Sequence, residues 1–174
     1  MADKIPGRLV WTVERLKLAP DDRVLEIGCG PGVAAALVCD RLATGKLTAI
    51  DRSEKAIAAA KTRNQSHIDA GKAEFRVMAL EDTALDLNRF DKVFAVNVNV
   101  FWTHPGQGLD VVRGLMEEEG IFYLVYHPPV GTDTAALTEK VTKALAENGF
   151  SVVEAVRADL ETAAALCITA RVPD

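Results

Sequence analysis

Short, nearly unbroken apolar runs alternate along this chain with longer segments whose apolar residues recur every three to four positions. Runs of the first kind predict buried strands, and segments of the second predict amphipathic helices. Strands are expected at 23–27, 46–50, 73–78, 90–96, 120–126, 151–156 and 164–171. The run at 90–96 is almost wholly apolar, which predicts a central strand covered on both faces. Helices are expected near 7–18, with Leu9, Val13 and Leu16 on one face, and at 32–42, ending near Gly45. A third is capped by Ser53, carries Ala56, Ile57 and Ala60, and runs toward Gly71. Two more are expected at 108–118 and 132–148, the latter stopping at Asn148-Gly149. Strand and helix in alternation predict an α/β chain built on a parallel sheet with crossover helices.

These elements take up all 174 residues, so one domain is expected over 1–174. In open sheets of this kind ligands bind beyond the carboxyl ends of the strands, which directs attention to the residues just after each one. The formal charge of −5 speaks against a uniformly basic nucleic-acid surface. Three cysteines, Cys29, Cys39 and Cys167, are an odd number without paired close spacing. That pattern argues against a disulfide framework and a structural zinc site, and reduced thiols fit a cytoplasmic location. The N-terminal stretch interrupts its apolar residues with charges and lacks a signal-peptide core. No stretch approaches the length of a membrane span.

The most informative segment is Val24-Leu25-Glu26-Ile27-Gly28-Cys29-Gly30-Pro31-Gly32, with Asp51 closing the next strand. A buried strand enters a glycine-rich turn, then a helix. Glycines let backbone approach a ligand, and the helix start offers free amides and a positive dipole end. A dinucleotide fingerprint spaces its glycines G-x-G-x-x-G and would need glycine at position 33, which is Val33 here. A nicotinamide-dependent oxidoreductase is the enzymatic alternative and meets that objection. A non-catalytic cofactor-binding or assembly protein of the same fold is the other.

The segment VLEIGCGPG with Asp51 resembles the class I S-adenosylmethionine-dependent methyltransferases, and the order of strands and helices matches over nearly the whole chain. The resemblance implies a three-layer Rossmann-like methyltransferase fold, with a seven-stranded, mostly parallel sheet and an antiparallel C-terminal strand. It divides the chain into a helical extension at 1–20, a cofactor-binding half at 21–127 and a C-terminal half at 128–174. It further implies that Gly28, Cys29, Gly30 and Gly32 line S-adenosylmethionine, that Glu26 organises the turn, and that Asp51 accepts from the ribose hydroxyls. Arg52 is expected along the adenine. Leu80 is expected as its apolar neighbour and Glu81 at its amino group, with Asp82 the alternative. Asn97 is expected near the transferred methyl.

Each position also has a plainer structural reading. Asp51 would cap a helix, Glu26 would be a buried carboxylate, Cys29 a small turn filler, and Glu81 and Asp82 the acidic start of a short helix. Phe101 and Trp102 are either pocket wall or core. His104, after the fourth strand, and Tyr126-His127, after the fifth, are the candidates for a proton-accepting catalytic role. His67 is expected in solvent, and no cluster suggests a metal. Residues 97–100 read Asn-Val-Asn-Val, not the Asn-Pro-Pro-Tyr of nucleic-acid amino-methylating enzymes. The expected partner is therefore a small-molecule acceptor, with a homodimer as the expected assembly and neither nucleic acid nor membrane involved.

Overall fold

The apolar runs form one sheet. In a computed structural model describing residues 4–85, 89–161 and 163–174, the strands are β1 (Arg23–Ile27), β2 (Lys46–Asp51), β3 (Ala73–Val77), β4 (Phe90–Val96), β5 (Met116–Tyr126), β6 (Ser151–Asp159) and β7 (Ala164–Arg171). Their order across the sheet is β3-β2-β1-β4-β5-β7-β6. Strands β1 to β5 pair in parallel, while β7 lies antiparallel to both β5 and β6. The order reverses between β1 and β4, so the carboxyl ends of these two strands open a crevice between the loops that leave them.

Helices cover both faces. On one side α1 (Gly7–Arg15), α2 (Val33–Arg41) and α3 (Glu54–Arg63) pack Val13, Ala35, Val38, Ile57 and Ala60 against Val24, Leu47, Phe75, Phe94 and Val125. On the other, α5 (Val100–Thr103), α6 (Pro105–Leu115) and α7 (Thr134–Glu147) pack Phe101, Leu109, Val112, Val141 and Leu145 against Leu25, Ile27, Phe122, Leu124 and Ile168. Successive strand residues serve opposite cores, as the pleat requires. β4, predicted central, lies between β1 and β5, with Val93, Phe94 and Ala95 fully buried.

Three expectations about elements are corrected. The helix predicted from Ser53 toward Gly71 breaks at Asn64 into α3 and the short α4 (Gln65–Asp69). Asn64 is fully buried, and its Nδ2 donates to the carbonyls of Ala60 and Gly32. Its side chain thus serves the neighbouring turn as well as its own helix. The helix predicted at 108–118 is α6, which starts at Pro105, a residue suited to a first helical position. It stops at Leu115, because Met116 already pairs with Phe90 as the start of β5. Pairing then slips, and Lys92 meets Ile121. Gly120 makes this irregularity possible: a Cβ there would lie 2.9 Å from the Glu117 carbonyl oxygen and 3.0 Å from that of Phe90. The third correction is that β6 runs three residues past its predicted end, to Asp159.

Candidate active site at the carboxyl edge of the sheet

The turn after β1 is closed by its own backbone and by β2. The amides of Gly28 and Cys29 both donate to the Ile50 carbonyl, at 2.9 and 3.0 Å, and the Gly32 amide donates to Cys29. Gly28, Gly30 and Gly32 all have positive φ, the left-handed region in which a side chain is costly. The Gly30 amide donates 2.9 Å to Asp51 Oδ2, while Asp51 Oδ1 accepts from the Ser53 amide at 2.9 Å. Asp51 thus ties the turn to the start of the next helix. Gly32 has a second constraint, from packing. Its missing Cβ faces α3, where it would stand 2.7 Å from Asn64 Nδ2 and 2.9 Å from Ala60 Cβ. That glycine is needed for packing between the turn and α3.

Glu26 is buried, with Oε2 lacking any hydrogen-bond partner. Burial, and secondarily the Asp51 charge, raise its pKa from 4.5 to about 8. The folded-state value lies above the unfolded one, so the folded protein holds this proton more tightly. The associated stability is complete below about 4.5 and is lost as pH rises through about 8. Glu26→Gln removes the titration. In cofactor-free protein, its melting temperature relative to wild type should climb steadily across that interval, as a pH series of thermal melts would read. A constant difference would contradict the assignment. Cys29 is buried beside this pair, and burial pushes its thiol up to about 12, so it is no nucleophile.

Two cavities share this edge. The first, about 300 Å³, is lined by Gly28, Asp51, Arg52, Met78, Leu80 and Glu81, among others, and by Val98 and Val100. The Arg52 guanidinium donates to both carboxylate oxygens of Glu81, at 3.1 and 3.2 Å. The residue expected along the adenine is thus paired with the one expected at its amino group. Glu81 belongs to a 3-10 helix, Leu80–Leu85, and Asp82 is not among the lining residues. Leu80 is buried and forms apolar wall.

The second cavity, about 490 Å³, is lined by Asn97, Asn99, Trp102, Tyr126, His127, the Pro128-Pro129 loop and one face of α7, Asp133 to Lys140. Positions 97 and 99 line this cavity while 98 and 100 line the first, so a single segment divides them. Asn97 holds a left-handed conformation with φ 57°, rare for a residue with a side chain. Two hydrogen bonds fix it there: its amide donates to Val125, and its Oδ1 accepts from the His127 amide at 2.7 Å. Asn97 therefore stands in the wall of the second cavity, beside Val98 of the first. Of the two aromatics left open by the sequence, Phe101 is fully buried core and Trp102 is cavity wall.

The proton-accepting candidates separate. His104 is exposed between α5 and α6 and lines neither cavity. His127 lines the second, but burial and the Arg8 charge lower its pKa to about 4. It is neutral near pH 7 and a weak base. The Tyr126 hydroxyl donates to the Val98 carbonyl at 3.1 Å, and burial raises its pKa. His67 stands 3.3 Å from Asp40 Oδ1, away from both cavities. Among the described residues no group of three or more His, Cys, Asp or Glu is placed to hold a metal, and no helix is long and apolar enough to cross a membrane.

A family model described as a methyltransferase domain matches residues 24–120, more than half of the chain. The chain belongs to the methyltransferase domain family. Among curated proteins, this methyltransferase is 25% identical over 158 residues to YrhH of Bacillus subtilis, itself named as a methyltransferase, covering 91% of this chain and 82% of that one. It is 28% identical over 109 residues to an uncharacterised protein of Synechococcus, but there the match covers 63% of this chain and only 26% of the relative's length. Among solved structures, the cyclase SpnF superposes with a TM-score of 0.77 at 17% identity, covering 95% of this chain and 80% of that one. Magnesium protoporphyrin IX methyltransferase of Synechocystis PCC 6803, solved with bound SAM, gives 0.71 at 18% identity, covering 94% and 77%. At such identities the superpositions establish the fold.

The cofactor of the methyltransferase is S-adenosylmethionine, and the residues present suit it. A buried carboxyl group with an unpartnered oxygen, Glu26, lies directly before the turn, and the cofactor carries an ammonium group able to donate to it. Asp51 holds two amides and still has lone pairs for hydroxyl donors. Leu80, Met78 and Val100 offer an apolar surface to a flat base. Asn64, the buried clamp behind the turn, is a contributor that sequence reasoning passed over. Its signal was a polar residue continuing the apolar stripe of Ile57 and Ala60.

Proposed function

We propose that this chain transfers the methyl group of S-adenosylmethionine to a small-molecule acceptor held in the second cavity. The observation that carries the proposal is the alternation of Asn97, Val98, Asn99 and Val100 between two adjoining cavities. A segment one residue thick separates the proposed cofactor cleft from a space of drug-like size. The cofactor supplies an electrophilic methyl on a sulfonium. The chain's part is to align an acceptor with that methyl and to exclude water. Asp51 would fix the ribose, Glu26 would stand at the amino-acid end, and Leu80 and Met78 would cover the base, with Arg52 and Glu81 closing over its rim. Asn97, locked by Val125 and His127, would define where the acceptor atom sits.

Neither His127 nor Tyr126 is tuned to take a proton near neutral pH. The proposed acceptor is therefore one whose attacking atom already has an available electron pair. The SpnF superposition favours one second reading, turnover of another kind on the same fold, because SpnF is a cyclase.

Thermal melts test the cofactor part. S-adenosylmethionine at about 100 times its dissociation constant should stabilise the protein by ~2.7 kcal/mol, and NAD should leave the melting temperature unchanged. Mass spectrometry of small-molecule acceptors incubated with protein and S-adenosylmethionine should find a product heavier by one methyl in place of hydrogen. Stabilisation by NAD alone would overturn the proposal. Binding of S-adenosylmethionine with no methylated product across oxygen, nitrogen, sulfur and carbon acceptors would favour the second reading.

A further inference from the structure

Hydrogen-bonding groups in the acceptor cavity are unevenly matched. Its apolar walls are Trp102, Pro128, Pro129, Ala136 and Leu137. Lys140 Nζ sits 5.7 Å from the centre of the Trp102 ring and, among the described residues, has no carboxylate within ion-pair distance. Its neighbour Lys143 is paired with Glu147 instead. Trp102 Nε1 is buried without a hydrogen-bond partner, and an indole N–H can only donate. Asn97 uses its Oδ1 on the His127 amide, which leaves its amino group to donate. On the other side stands one charged acceptor, Asp133, whose Oδ1 already caps α7 by accepting from the Ala136 amide. Asp133 and Lys140 are seven residues apart on one helix, roughly 10 Å along its axis, so they mark separate ends of the cavity.

Resting on the methyl-transfer reading above, we propose that the acceptor is an organic carboxylate with a flat or apolar body, its carboxylate held by Lys140. The body lies along Trp102 and the proline loop, which leaves its far end toward Asn97 and the cofactor cleft. An ammonium at Lys140 placed over an aromatic face combines a charge with an apolar floor, and a carboxylate attached to a ring satisfies both. A cationic acceptor would offer the exposed Lys140 no opposite charge, and a body without oxygen or nitrogen acceptors would leave the buried indole N–H unpaired.

The experiment is calorimetric titration of protein saturated with S-adenosylhomocysteine, using 4-hydroxybenzoate and, in parallel, 4-hydroxybenzamide. The two probes share shape and differ in charge. The acid should bind at least about tenfold more tightly than the amide, from one charge-assisted contact. Lys140→Met should abolish that preference, leave amide binding within about threefold, and leave S-adenosylhomocysteine binding unchanged, since Lys140 lies outside the cofactor cleft. Equal binding of acid and amide, failure of both to bind, or a preference that survives Lys140→Met would each overturn the carboxylate assignment while methyl transfer stood. Failure of S-adenosylhomocysteine itself to bind would instead overturn the reading beneath it.

Discussion

Asp51→Ala is expected to weaken S-adenosylhomocysteine binding by at least about a hundredfold, as read by calorimetry on folded protein. The magnitude follows from losing two hydrogen bonds to a charged acceptor, each worth ~1.5–3 kcal/mol. In the cofactor-free protein the carboxylate already accepts from the Gly30 and Ser53 amides. It joins the glycine turn to the start of α3 before any ligand arrives. A hydroxyl pair would meet a carboxylate held in place on both oxygens, so little conformational freedom is lost on binding. Asp51→Asn keeps one acceptor oxygen and should lose about tenfold. Wild-type affinity in Asp51→Ala would show that the nucleoside sugar is held elsewhere.

Gly32→Ala is expected to cost ~2–5 kcal/mol of folding stability, measured by urea denaturation. Two penalties combine. The residue has φ 77°, and a side chain in that region costs ~1–2 kcal/mol. The added carbon would also stand 2.7 Å from Asn64 Nδ2 and 2.9 Å from Ala60 Cβ, so it overpacks a closed junction, at ~1–3 kcal/mol. Gly30→Ala is the internal comparison. It has φ 52° but nothing within 4 Å of its added carbon, so only the backbone cost of ~1–2 kcal/mol applies. Equal losses at the two positions would contradict the packing role given to Gly32.

The contrast between those glycines bears on what the sequence could reveal. The pattern Gly28-x-Gly30-x-Gly32 marked a turn that needs positive φ, and all three glycines adopt it. Which of them approaches a ligand and which approaches another helix depends on α3, some thirty residues onward, and no local pattern carries that distance. The succession of strands and helices along the chain was legible because short apolar runs and amphipathic segments alternate cleanly. The end of α6 was not, because Glu117, Glu118 and Glu119 are good helix formers. Tertiary pairing of Met116 with Phe90 overrides that propensity. The start of α6 did carry a signal, Pro105, which the apolar spacing alone missed.

For the site, residue type was legible and environment was not. Position after a strand drew attention equally to His104 and His127. Only burial and the Arg8 charge distinguish a solvated histidine from one lowered to about 4. The carboxylates show the same limit. Glu26 and Asp51 were both marked by the motif, yet Asp51 ties the turn together while Glu26 lies buried with an oxygen unpartnered. Lys140 carried no mark at all: it is an exposed lysine on an amphipathic helix, and only the fold brings its ammonium over Trp102.

The most direct measurement is a crystal structure of the protein grown with S-adenosylhomocysteine. The ribose hydroxyls should lie within about 3 Å of the Asp51 carboxylate, with the base between Leu80 and Val100 and the amino-acid end at the glycine turn. Density for the nucleoside anywhere else on the chain, or an empty cleft in crystals saturated with it, would contradict the account.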